Sequence, residues 1–222
     1  MPQAMRNLIS MAFVEPNADF GDLIWGNVAR LPSAGHKSIV HAMITDECPS
    51  ENTTMYRFTR KGAAEFGVSW EIVGTWMGME EEYPLVALDA IMHQKVNLPG
   101  GRPMWEAFSQ AAHKDRSYVE PVLRTCLTPL TLLAKLGVSS SELCMVVIDA
   151  ERTDIKIVNE FLEDPGFGPG WLQFEMEPLD WPTKESQDIV WRLQHRGYSV
   201  GMSLGGSSVE TDKENVYAVL EG

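Results

Sequence analysis

The stretch "LCMVVIDAERTDIKIVNEFLED", residues 143 to 164, limits the possible folds more than any other part of the chain. Its first six residues are an unbroken apolar run, the pattern of a strand buried on both faces. From Ile155 the pattern changes: Ile155, Val158 and Leu162 recur at helical spacing, with Phe161 beside them. A buried strand feeding an amphipathic helix is half of a parallel crossover. Asp149 and Glu151 stand at the join.

Similar units occur on both sides. "WLQFEM" (171–176) reads as the next strand, and "TKESQDIVWRLQHRG" as a helix capped by Thr183 and stopped by Gly197. "YSVGMSLG" and "ENVYAVLEG" read as a closing strand pair. Near the start, "LISMAFVEP" is strand-like. "NADFGDLIWGNVARL" then carries Phe20, Leu23, Ile24, Val28 and Leu31 at helical spacing, with Asn17 as the N-cap. "SIVHAMI" (38–44) is a second strand and "TTMYRF" (53–58) a short further one. "PLTLLAKLG" (129–137) is a helix that Gly137 ends. Residues 59–120, broken by Pro84, Pro99, Pro103 and Gly100-Gly101, hold two short helices, "LVALDAIMHQ" and "MWEAFSQAAHK". They form either an insertion over a site or a peripheral excursion. The expected fold is α/β with a mostly parallel sheet, in a single domain over 1–222.

Composition removes several functions. Against 18 basic residues stand 31 acidic ones, a net charge of −13, which disfavours a nucleic-acid backbone or an anionic membrane surface. No apolar run reaches the roughly 18 to 20 residues of a spanning helix. Cys48, Cys126 and Cys144 are odd in number and lack CxxC spacing, which fits a reducing compartment better than a disulfide framework. The five histidines form no ligand cluster, so no metal site is expected.

"VEPNADFGDLIWGNV", "VLRTCLTPLTLLAKLGVSSSELCMVVIDAERTDIKIVNEFL" and "WLQFEME" together resemble the FkbM-type methyltransferases. Order and spacing agree over 11–46 and 122–177, and the match is poor over 59–120. The resemblance implies a Rossmann-like class I fold with helices on both faces of the sheet and a C-terminal strand pair. It also implies S-adenosylmethionine as cofactor and O-methylation of a small-molecule or sugar hydroxyl.

By the same resemblance Glu15 is the ribose ligand and Asp46 contacts adenine. Asp149, Glu151 and Glu175 face the place where methyl donor and acceptor meet, where a carboxylate orients or deprotonates a hydroxyl. Each has a plainer reading. Glu15 would interact with the dipole of the following helix, Asp46 would form a turn, and Asp149 or Glu151 would cap a helix. Glu175 would be a solvated strand end. The crossover topology predicts that Glu15, Asp46, Asp149 and Glu151 converge on one sheet edge, with 143–148 as an interior strand beside 171–176.

The chain also departs from the family pattern. Arg152 replaces a glycine, and Cys126-Leu127 stands where "L-D" is expected. The first strand and its Gly-rich turn, which cradles the methionine part of the cofactor, find no counterpart. "GGRP" and "GGSS" neither follow a buried strand nor supply that turn. Three readings follow: an active methyltransferase, a catalytically degenerate relative serving as a structural or assembly subunit, or an unrelated α/β nucleotide-binding domain. In the second, a protein partner would fill the gap left by the missing strand.

Overall fold

The computed structural model describes residues 10–30, 35–93, 98–150, 153–176, 183–204 and 214–221. Its chain divides into two compact units. Unit 1 holds residues 1–43, 50–93 and 97–126, and unit 2 holds 44–49, 94–96 and 127–222.

In unit 1, β1 (Met11–Val14) and β2 (Lys37–Val40) pair in parallel with Met11 opposite Lys37. A 3₁₀ turn and α1 (Gly21–Val28) connect them, completing the expected crossover. The Asn17 side chain starts this connection by accepting the Asp19 N–H at 3.2 Å. Only part of the anticipated apolar stripe is used: Phe20 and Val28 are buried, whereas Leu23 faces solvent. The expected strand over 38–44 is split. It breaks at His41-Ala42, and β3 (Met43–Ile44) enters a second sheet of order β3–β5–β4.

There β4 (Asn52–Phe58) and β5 (Val119–Leu127) run antiparallel, with Arg57 opposite Glu120. The chain between these strands, in the least readable part of the sequence, carries four helices. They are α2 (Arg60–Phe66), α3 (Trp70–Val73), α4 (Tyr83–His93) and α5 (Arg102–Lys114). Their aromatic residues make a core of their own. Phe58 and Phe108 lie 4.9 Å apart between ring centroids, Trp76 and Trp105 6.1 Å apart, and Trp105 is fully buried. The region therefore builds the centre of unit 1.

Unit 2 is a four-stranded sheet of order β6–β7–β9–β8. After α6 (Pro129–Leu136) come β6 (Met145–Val147), α7 (Asp154–Glu163), β7 (Trp171–Met176) and α8 (Lys184–His195). The closing pair is β8 (Tyr198–Leu204) and β9 (Glu214–Leu220). β6 and β7 are parallel, while β9 lies antiparallel between β7 and β8. Thr183 caps α8 by accepting the Ser186 N–H, and Gly137 ends α6 at φ 68°, a conformation that glycine adopts without steric cost. The core joins Leu172, Phe174 and Met176 of β7 to Ile157, Val158 and Leu162 of α7 and to Ile189 and Leu193 of α8.

Two expectations need correction. The sheets are mixed rather than mostly parallel: β1–β2 and β6–β7 are parallel, whereas β4–β5, β7–β9 and β8–β9 are antiparallel. Along β7 of unit 2, residues 172, 174 and 176 are buried while 171, 173 and 175 are half-buried. That is the alternation of a one-sided sheet. Finally, 143–148 is not an interior strand. β6 has three residues and ends its sheet, with Met145 63% and Val147 57% exposed. An apolar run signals burial on two faces only if a second layer and a second neighbour are present, and β6 pairs with β7 alone among the described residues.

The cysteines also differ from the unpaired set expected. Cys48 and Cys126 each carry a disulfide bond, and Cys144 is a free, exposed thiol. No described helix is long and apolar enough to cross a membrane.

Candidate functional site

The carboxyl ends of the two parallel strands of unit 2 gather three acids: Asp149 after β6, Glu175 near the end of β7, and Asp154 at the start of α7. Asp154 is 3% exposed and holds this corner together. Its two carboxylate oxygens accept the Ala150 N–H at 3.1 Å and the Glu175 N–H at 3.2 Å. One side chain thereby ties the β6–α7 loop to the neighbouring strand. Thr153 adds a second clasp, its hydroxyl donating to the Ala150 carbonyl at 2.8 Å.

Burial raises the Asp154 pKa to about 6; the two amide hydrogen bonds oppose the rise, and the charges of Asp149 and Glu175 add to it. A group titrating there can take up a proton near neutrality. Both its oxygens are spent on backbone amides, however, and its side chain is enclosed. Its first role is therefore to fix the corner. Asp149 is exposed and Glu175 half-buried, so these two are the acids that a ligand can reach. Among the described residues no group of three or more His, Cys, Asp or Glu is arranged to hold a metal ion.

The sequence reading missed Asp154, although the signal was present. Asp154, Val158, Phe161 and Leu162 follow the i, i+4, i+7, i+8 pattern of the buried face of α7. An acid on that stripe must be buried, and a buried carboxylate must find donors.

The other expected site residues fall in different settings. Glu151 lies outside the described residues. Glu15 is in unit 1, where its carboxylate accepts the Asn17 N–H at 2.7 Å. Arg57 lies in the same region of unit 1. It donates to Asn17 at 3.0 Å, pairs with Asp19 at 2.5 Å and Glu120 at 2.9 Å, and sits 5.3 Å from the Trp70 ring. Burial holds the Arg124 pKa below the usual guanidinium range; Arg57 adds to this, and Asp19, Glu120 and Glu15 oppose it.

Asp46 belongs to unit 2 and accepts the Thr45 hydroxyl at 2.9 Å. It lines a cavity of about 250 Å³ with Lys156, Asn159, Glu160, Glu163 and Glu185. Among the described residues its lining holds no aromatic side chain for a purine to stack on. Gly100 and Gly101 do open a helix, α5, with φ of 80° and 88°, but among the described residues no strand leads into them as a cofactor turn requires.

No protein-family model, curated protein or solved structure matches the chain.

Proposed function

We propose that this chain is a methyltransferase-like protein of the FkbM type that has lost cofactor-dependent catalysis and works as a structural or assembly subunit. The exposed edge position of β6 is the observation that carries the reading. A class I methyltransferase keeps the corresponding strand inside its sheet, beside the strand whose Gly-rich turn cradles the cofactor. An exposed β6 counts against an intact enzyme.

Two features support kinship with the fold. The order β6, α7, β7, α8 and an antiparallel closing pair agrees with the C-terminal half that the resemblance implies. Strand-end acids also stand at the carboxyl ends of the parallel pair, where open α/β sheets bind their ligands. The enzymatic alternative assigns Asp149 and Glu175 to orienting an acceptor hydroxyl, with Asp154 holding the corner behind them.

Calorimetric titration of the purified chain with S-adenosylmethionine decides between the two. The expected outcome is no saturable heat in the micromolar range. A micromolar dissociation constant, equivalent to about −8 kcal/mol, would return the protein to the active methyltransferases.

A further inference from the structure

The open side of β6 presents unpaired backbone next to apolar side chains. In the parallel ladder with β7, the Ile148 N–H donates to the Gln173 carbonyl and the Cys144 carbonyl accepts from the Trp171 N–H. Residues 144, 146 and 148 therefore turn their peptide groups towards β7, and those of Met145 and Val147 point to the free side. No other described strand lies there. Such an edge is a template for another strand, and natural edges are commonly blunted by lysine, proline or a bulge. β6 has none of these.

The apolar surface continues from the edge across the uncovered face. Met145 stands opposite Trp171, which stands opposite Val219; Val147 stands opposite Gln173, which stands opposite Tyr217. Trp171 and Tyr217 touch, with ring centroids 5.6 Å apart, and Val219 is 42% exposed. Both ends of the edge are acidic: Glu142 precedes β6 and Asp149 follows it, and both are exposed.

Charge decides what fits. A second copy pairing antiparallel about Val146 would bring Asp149 of one protomer beside Leu143 and Glu142 of the other, on chains that each carry −13. Two chains of that charge repel one another, which disfavours self-pairing. We infer that the free edge of β6 accepts a strand from a different protein: an extended apolar segment with a basic residue at each end, the apolar side chains covering Met145 and Val147 and the basic ones meeting Glu142 and Asp149. This is strand addition, in which backbone bonds give affinity and flanking charges give selection. It holds whether or not the domain binds S-adenosylmethionine.

The test uses the full chain and two synthetic peptides of alternating valine and threonine, one with lysine at both ends and one with glutamate. Backbone amide exchange is followed by NMR. The lysine-flanked peptide is expected to slow exchange at Met145 and Val147 about tenfold, equivalent to a population shift of about 1.4 kcal/mol, and the glutamate-flanked one to leave it unchanged. V147P removes only the outward-facing N–H of β6 and should abolish the slowing at Met145. M145D, an exposed change, should do the same with the circular dichroism unaltered. Absence of slowing with the lysine peptide would overturn the inference. Equal slowing by both peptides would overturn the assigned chemistry. Slowing that grows with protein concentration alone, with a doubled mass in light scattering, would give the edge to a second copy.

Discussion

The two units each contain a parallel strand–helix–strand crossover with an acid at the first strand's end, and they treat that acid in opposite ways. After β1, Glu15 brackets the Asn17 amide while Asp19 and Glu120 share the Arg57 guanidinium. After β6, Asp154 is buried on backbone amides with Asp149 and Glu175 as charged neighbours, and its pKa rises to about 6. The same topology therefore yields a charge-balanced clamp in unit 1 and an acid-rich corner in unit 2. A strand-end carboxylate says where a ligand can bind; its neighbours decide whether it is free to do so.

The sharpest way to break this contrast is to remove Arg57. Its side chain is 12% exposed and serves two carboxylates and the Asn17 amide oxygen. R57A leaves Glu120 without this cation and Asp19 with the more distant Arg60, 3.7 Å away, a change that costs about 3 to 5 kcal/mol for a buried pair. Because Asp19 and Glu120 are partly solvated, the lower end of that range is expected, about 3 kcal/mol by urea unfolding. A loss below about 1 kcal/mol would mean that the network is only a surface feature.

D154A is the matching test in unit 2. It leaves the Ala150 and Glu175 amides without their acceptor, at about 1 to 3 kcal/mol for each buried donor, and it also relieves a buried charge. The expected net loss is about 2 to 3 kcal/mol, with faster amide exchange at Glu175. Unchanged exchange there would remove Asp154 from its role as the tie between the loop and β7.

How much of this was legible in the sequence varies with the kind of signal. Helix limits that rest on local chemistry were readable: Thr183 caps α8 and Gly137 closes α6 where those residue types predict. The crossover order β1–α1–β2 and β6–α7–β7 was readable from the changes of period. Strand neighbours were not. The run at 143–148 has the composition of an interior strand, yet what lies beside it depends on segments remote in sequence, and β6 ends its sheet. The β4–β5 ladder was equally hidden, since Arg57 and Glu120 are brought together across 63 positions of chain. The raised pKa of Asp154 was half-visible, because periodicity placed the residue inside and only the fold showed which amides it holds.

The pH dependence sharpens the comparison further. Asp154 in the folded state keeps its proton up to about pH 6, whereas in the unfolded chain it ionises near 3.8. Between those values the folded state binds more protons. Its contribution to stability is thus fully present below about pH 4 and is lost as pH rises through 6. D154N carries no such charge. Its amide nitrogen cannot accept, so one of the two backbone N–H groups loses its acceptor, at about 1 to 3 kcal/mol at either pH; between pH 4 and pH 7.5 its stability relative to the parent should rise by on the order of 2 kcal/mol. Comparing the two proteins in urea at both pH values cancels the other carboxylates. A difference that does not change with pH would show that Asp154 titrates normally and that the corner is open to water.

The smallest expected effect concerns Glu15, the residue with the strongest ligand claim in the sequence. E15Q keeps an oxygen to accept the Asn17 N–H and removes one negative charge from the surroundings of Arg124. If Glu15 only brackets the start of the β1–α1 connection, the change should cost about 0.5 kcal/mol, as for a single charge near a helix start. It should then alter no ligand titration. Among the described residues the Arg124 Nε is buried without a hydrogen-bond partner, so some of that cost should appear as faster exchange in β5 and not in β1. A ribose ligand would behave differently, because exchanging carboxylate for amide weakens a charged hydrogen bond by roughly 1.5 to 3 kcal/mol in binding while leaving stability untouched. Unfolding and S-adenosylmethionine titration of E15Q, measured side by side, separate the two outcomes: a stability change with no binding change keeps Glu15 as a structural bracket, and the reverse makes it a ligand residue.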